Sequence, residues 1–495
     1  WDRFGRTVSQ EWEDYGASST ADQVDYTYDY AGNRLTRDIP ASLYSTNDRD
    51  QKYTYDGLHR LQTYDGGTLS GSSISGTPVA EQDWTLDQLG NWSNLVVKAA
   101  GTTTLDQDRA HNDVNEIDDG SNNGITTTTG TNWVDPVHDA AGNMTTIPQP
   151  QDPSDDYKLV YDAWNRVVQV KDGFLKVQVN QYDGLNRRIE RDESNRGGNK
   201  RHFYYSRQWQ VLEERIRVGR TIDADPLSQY VYHPDYVDAM ALRYYDEDTD
   251  GSGIVEHYYL QDANYNVTAV TDDGGTVVER YAYTPYGEAT VLDADFSADA
   301  DGVSDIANEY LYTGRRRDPE TGLQLNRNRF YHQQLGRWVN RDPIGYEGSP
   351  WNLYEYVGSR ATIELDPSGQ IIGLTCEQQD NKNASDRADC KNKCFRDITK
   401  SDNIRGRDLE DIQQELDDCN KGCQGRFPDL DCNDTCYFAP EECLAEAAGL
   451  AAAAASCALC GILKKGNVAA CSACYELPNK QRAYNACVMG RAIKD

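Results

Sequence analysis

The chain has 495 residues, 38% of them apolar and 10% aromatic, which is more than one ordinary core holds and implies two or more domains. Its formal charge is −32; residues 371–495 hold 16 Lys/Arg against 20 Asp/Glu, a net of −4, so about −28 falls on residues 1–370. A surface that acidic repels phosphate backbones and anionic lipid, which excludes nucleic-acid binding by that region. Tyr (33) far outnumbers Phe (8) and Met (3), a bias towards strands and half-wet aromatic faces. No apolar run has the length of a transmembrane span; the nearest, residues 447–463, is mostly Ala and reads as a buried helix. The chain opens on WDRFGRTVSQ, without Met or a signal pattern, and reads as a fragment of something longer.

A motif recurs in residues 1–200: Tyr-Asp, two residues, Gly or Asn, Arg, then an apolar residue. Its copies are YDYAGNRL (28–35), YDGLHRL (55–61), YDAWNRV (161–167) and YDGLNRRI (182–189), with LDQLGNW (86–92) and HDAAGNM (138–144) as variants. Such periods belong to repeat architectures. In each unit the Tyr ends a strand, the Asp accepts local backbone N–H groups, Gly or Asn takes the left-handed position, and Arg-apolar opens the returning strand. One hairpin cannot bury a face alone, so the hairpins are expected to line up in one extended sheet.

Residues 200–310 continue as strands, interrupted by two acidic loops. Asp246, Asp248 and Asp250 alternate before Gly251 like the start of a calcium loop, but Glu256 falls at the eleventh position and His257 at the twelfth, where an EF-hand needs its bidentate Glu. Two readings stay open, a looser calcium site on Asp246, Asp248, Asp250 and Glu256, or a solvated hairpin tip. Residues 293–302 pose the same choice. No other cofactor is required.

Residues 312–370 form a seam dense in Arg and aromatics, with Asp-Pro steps at Asp342-Pro343 and Asp366-Pro367. Two carboxylates brought together cannot both ionise; one keeps a proton, the other activates water, and a peptide bond can be hydrolysed. The structural alternative is that each Asp opens a turn, while Arg329, Arg337 and Arg341 pair with the acidic wall.

The stretch TGRRRDPETGL…NRFYHQQLGRWVNRDPIG…NLYEYVGS…DPSG, together with the repeats, resembles the RHS (rearrangement hot spot) or YD-repeat family over residues 1–370. The resemblance implies a mainly β fold. Repeats over residues 1–311 spiral into a hollow shell, and a core over residues 312–370 plugs one end. It further implies an intramolecular aspartyl protease built from Asp342, Asp366 and Arg329 that cuts the Gln370–Ile371 bond. Gln370 departs from the family's apolar residue before that bond.

All thirteen cysteines lie between Cys376 and Cys487, the pattern of a disulfide framework in an oxidising compartment. Helical signals cover residues 405–424 and 445–463. Cys390 and Cys394, like Cys419 and Cys423, sit four apart, so two antiparallel helices stapled by Cys390–Cys423 and Cys394–Cys419 resemble a twin CX3C hairpin. Cys457, Cys460, Cys471 and Cys474 have zinc-site spacing but equally suit disulfides. The seven histidines all precede residue 371, so residues 371–495 hold no His-dependent nuclease or protease by themselves.

Two functions compete. One is a secreted toxin-like protein whose shell encloses or presents the cysteine-rich domain, with an immunity protein and a secretion system as partners. The other is a cell-surface adhesion or matrix protein with a disulfide-stapled cap and no catalysis. Both place the chain outside the cell.

Overall fold

The tandem hairpins arise from a turn that repeats almost atom for atom. At Asp183, Oδ1 accepts the backbone N–H groups of Leu185 (2.9 Å) and Arg187 (3.0 Å), while Oδ2 accepts Arg187 Nε (2.7 Å). The third residue after the Asp, here Asn186, takes a φ of +70°. The same cap joins Asp29 with Asn33, Asp56 with Arg60, Asp87 with Asn91, Asp139 with Asn143, Asp162 with Arg166 and Asp262 with Asn266. Gly, Asn or His at the third position tolerates the left-handed backbone best.

The computed structural model of the chain describes residues 1–370, apart from residues 15, 45, 47, 122, 194–198, 235 and 350. The helices expected in residues 371–495, the disulfide candidates Cys390, Cys394, Cys419 and Cys423, and the zinc candidates Cys457, Cys460, Cys471 and Cys474 lie outside the described residues.

Among the described residues the repeats build antiparallel meanders whose strands pair in chain order, passing over the short hairpin Leu69–Ser70/Ser73–Ile74 and the two-residue strand Thr221–Ile222, which pairs off the path. A nine-stranded sheet runs from Ser9–Asp14 to Ile125–Thr129, and a fifteen-stranded sheet from Val137–His138 to Ala289–Leu292. Alternation sets the faces: in Ser19–Tyr28, Asp22, Val24 and Tyr26 point inward. The single sheet expected from the repeats is therefore broken in two. The break falls after Ile125–Thr129, where Gly130 takes a φ of +93° and Asp135 Oδ1 caps Ile125 N–H at 2.6 Å. Pro136, which has no N–H for a ladder, stands immediately before the new sheet.

The wall curls until its first strands meet its last. Asp22 Oδ1 pairs with Arg280 Nη1 at 3.0 Å, and Asp22 Oδ2 accepts the Thr268 hydroxyl. Gln51 Nε2 donates to the Tyr283 carbonyl (2.9 Å), and Arg34 Nη2 to Asn264 Oδ1 (2.8 Å). These contacts join residues more than 200 positions apart and are the physical basis of a shell rather than a flat ribbon.

The seam residues pack inside. A small four-stranded sheet, Arg316–Arg317, Gln324–Asn326, Arg329–His332 and Arg337–Trp338, is almost wholly buried. Its aromatics interlock, with Tyr331 stacked on Tyr356 at 4.0 Å and Trp338 edge-on to Tyr356 at 5.4 Å. Each of the three hydrophobic clusters combines wall residues with residues of this segment or its approach, such as Trp92 with Tyr331, Met144 with Phe330, and Phe203 with Tyr310. Gly336 is required by this docking, since a Cβ there would enter the Trp92 ring. Among the described residues no helix is long and apolar enough to cross a membrane.

Candidate active site

Arg329 begins the strand Arg329–His332 just after Arg327, whose φ is +45°. Its side chain is buried and lies against the Trp338 ring, 4.1 Å from the centroid. From there Nη2 reaches both seam carboxylates, Asp342 Oδ2 at 2.8 Å and Asp366 Oδ2 at 3.4 Å. The structure thus brings together three residues spread over 37 positions of sequence. The rest of the guanidinium is spent on backbone, with Nη1 donating to the Leu353 carbonyl and Nε to the Gly369 carbonyl.

The two carboxylates differ in their surroundings. Asp366 Oδ1 accepts three hydrogen bonds, from Gly369 N–H (2.8 Å), the Ser368 hydroxyl (3.0 Å) and Gln370 N–H (3.1 Å). Asp342 Oδ1 accepts only Ile344 N–H, at 3.0 Å, and its Oδ2 has no well-directed donor despite the nearby arginine. Burial pushes Asp342 up to about 6, against the opposing pull of Arg329. Burial raises Asp366 as well, against Arg329 and the three hydrogen bonds. The pair therefore holds a proton more readily than two ordinary surface aspartates.

Residues 366–370 are laid beside the turn that precedes Arg329. Asn326 Nδ2 donates to the Asp366 carbonyl (2.9 Å), Arg327 Nη1 to the Pro367 carbonyl, and Asn328 N–H to the Ser368 carbonyl (3.2 Å). This register delivers the Gln370 carbonyl to Gly348. A Cβ on Gly348 would collide with the Gln370 carbonyl oxygen and stand 2.9 Å from Asp342 Oδ2. The carbonyl and the Asp342 carboxyl are thus neighbours across one missing side chain.

Arg341 follows the structural alternative, whereas Arg337 meets backbone and an aromatic ring instead of an acid. Arg337 donates to the Asn115 carbonyl and lies over Tyr354, while Arg341 pairs with Glu116 at 2.7 Å. Two features escaped the sequence reading. Asp318-Pro319 is a further Asp-Pro step, legible in TGRRRDPETGL, and its buried carboxylate pairs with Arg188 and Arg191. Burial disfavours its charge, yet the two arginines hold it well below the usual carboxylate range. Gly348 is the other; a glycine in a turn carries no signal that it clears space for a chain arriving from residue 370.

The acidic loops separate. Asp246, Asp248 and Asp250 each offer an oxygen, all within 4.8 Å of one another. Glu256 is not in this group; its carboxylate accepts the Tyr258 hydroxyl at 2.6 Å. In residues 293–302 the carboxylates of Asp293, Asp295 and Asp299 accept hydrogen bonds from their own loop.

A curled antiparallel wall with a buried seam of this kind is the architecture of an RHS or YD-repeat shell. In fold the described residues match such a shell, and in sequence they are similar to RHS-family proteins. The solved Tc holotoxin pore of Photorhabdus luminescens superimposes with a TM-score of 0.55 and 18% identity, covering 74% of this chain and 17% of that one. The tRNA3(Ser)-specific nuclease WapA of Bacillus spizizenii is 27% identical over 197 residues, 39% of this chain and 8% of the nuclease. Toxin protein Tse5 of Pseudomonas aeruginosa is 41% identical over 68 residues, 14% of this chain and 5% of the toxin. The chain spans under a tenth of either relative's length. No protein-family model matches it.

Proposed function

We propose that this chain is part of a secreted RHS toxin-like protein, whose core cuts the Gln370–Ile371 bond and frees the residues beyond it from the wall. The observation that carries this reading is one buried guanidinium touching two carboxylates, with the Gln370 carbonyl beside one of them. The toxin and nuclease among the relatives support the delivery role; an immunity protein and a secretion apparatus are the partners it entails.

The chemistry assigns the two aspartates different work. Asp366, with three hydrogen bonds to one oxygen, is the better carboxylate; Asp342, with one, is the better acid. Asp366 takes a proton from water, whose oxygen adds to the Gln370 carbonyl carbon. Asp342 gives its proton to the carbonyl oxygen. On collapse, one hydroxyl of the tetrahedral intermediate returns a proton to Asp342, Asp366 passes its proton to the Ile371 nitrogen, and the C–N bond breaks. Arg329 balances the charge that the pair retains throughout. Gln370 in place of an apolar residue changes the side chain before the cut, not the carbonyl.

Intact mass of the denatured chain, with and without reductant, tests this reading. Wild type is expected as two masses meeting at Gln370–Ile371, and Asp342→Asn or Asp366→Asn as one, with cleavage slowed by about 10²–10⁴-fold. A single uncut mass for all three proteins overturns the protease, and leaves the core as a structural plug.

A further inference from the structure

Between the strands Met240–Tyr245 and Val255–Gln261 the chain makes an acidic tip whose carboxylates converge. Asp246 is 4% exposed, whereas Asp248 and Asp250 are exposed, and one oxygen from each lies within 4.8 Å of the others. Asp246 Oδ2 accepts Gly251 N–H at 2.8 Å. Its second oxygen, Oδ1, is buried and has no hydrogen-bond partner. Among the described residues no Lys or Arg pairs with any of the three.

The preceding loop adds further negative charge. Asp223 Oδ2 accepts the Thr249 hydroxyl at 3.2 Å, and the Asp225 carboxylate lies 3.4 Å from where a Cβ on Gly251 would stand. A buried carboxylate oxygen facing other carboxylates is costly unless a proton or a cation stands between them.

We propose that Asp246, Asp248 and Asp250 bind a divalent calcium ion, with Asp246 Oδ1 as the inner ligand. Three carboxylate oxygens on a tight loop suit a hard cation that accepts irregular oxygen coordination, completed by backbone carbonyls and water; magnesium demands a near-ideal octahedron. Without the bidentate twelfth-position glutamate of an EF-hand, the affinity belongs with extracellular modules, about 10⁻⁴–10⁻³ M. The ion would neutralise the tip and clamp it against the loop carrying Asp223 and Asp225.

Calcium titration of the full chain by isothermal calorimetry, paired with thermal unfolding in calcium and in EDTA, tests the site. Wild type is expected to bind one calcium at this loop and to unfold at higher temperature with it. Asp248→Asn changes an exposed residue, so it folds, and it is expected to weaken binding at least tenfold. Magnesium at equal concentration is expected to bind at least tenfold more weakly than calcium. No calcium-dependent heat or shift up to 10 mM (about tenfold above the weak end of that range) overturns the proposal. So does binding that is unchanged in both Asp248→Asn and Asp250→Asn.

Discussion

Asp342 and Gly348 show how much a single position decides. Asp342 is pushed up to about 6 by burial, the opposing pull of Arg329 notwithstanding, and shares its arginine with Asp366. The two acids titrate as a pair, and hydrolysis needs one proton between them. A raised acid keeps its proton to higher pH, so the self-cleavage rate is expected to be greatest in mildly acidic solution and to fall as pH rises through about 6. It falls again in strong acid, when both are protonated. Single-turnover rates from refolded uncleaved chain against pH read this directly. Gly348 has a φ of −87°, a backbone any residue adopts, so its lack of a side chain serves space, not conformation. Gly348→Ala is therefore expected to leave the fold intact by circular dichroism. It should slow cleavage by about 10²-fold, the cost of displacing a reacting carbonyl by about an ångström.

The element that makes the wall is the Tyr-Asp turn, and the structure gives its tyrosine a role beyond ending a strand. Tyr28, Tyr55, Tyr161, Tyr182, Tyr205, Tyr232 and Tyr283 each donate the hydroxyl to a backbone carbonyl 15 to 21 residues earlier, in the previous hairpin. Each repeat is thereby bolted to the one before it. Tyr205→Phe removes the 2.7 Å bond to the Arg188 carbonyl and is expected to cost about 1 kcal/mol. Tyr204→Phe, on the exposed face next to it, is expected to stay within about 0.5 kcal/mol. Denaturant midpoints compare the two. The carboxyls of Asp29, Asp56, Asp139, Asp162 and Asp183 are held low in the same way: at Asp183 burial raises the carboxyl, but the hydrogen bonds from Arg187 and Leu185 prevail. A depressed carboxyl stabilises the fold above its unfolded value, about 4, and that contribution is lost as pH falls through the folded value.

At the scale of the whole molecule, the seam and the wall are joined by buried charge as well as by aromatics. Arg188 and Arg191 on one wall strand meet Asp318 of the seam, Arg191 also meets Glu309 (2.7 Å), and Arg316 meets Glu214 and Glu309. These groups are almost fully buried, so losing one partner leaves the others uncompensated. Asp318→Asn is expected to destabilise the chain by about 3–5 kcal/mol in denaturant unfolding. Breaking the part-exposed pair of Lys98 with Glu81 is expected to cost under about 1 kcal/mol.

The sequence alone determined the hairpins. Their turn chemistry is local: an Asp, a left-handed residue and an Arg or Asn lie within five positions, so the pattern that forms the structure is also the pattern that can be read. It also singled out Arg329, Asp342 and Asp366, through the RHS-like seam. The tertiary structure alone decided what depends on residues far apart in the chain. The return of the last strands onto Asp22 and the sealing of Asp318 among arginines follow from packing between segments more than 100 positions apart. The same is true at shorter range where shape, not residue type, carries the information. Spacing puts Glu256 off the EF-hand register but does not decide whether it joins Asp246, Asp248 and Asp250 in a looser site. Strand pairing does, by turning Glu256 towards Tyr258 and burying Asp246.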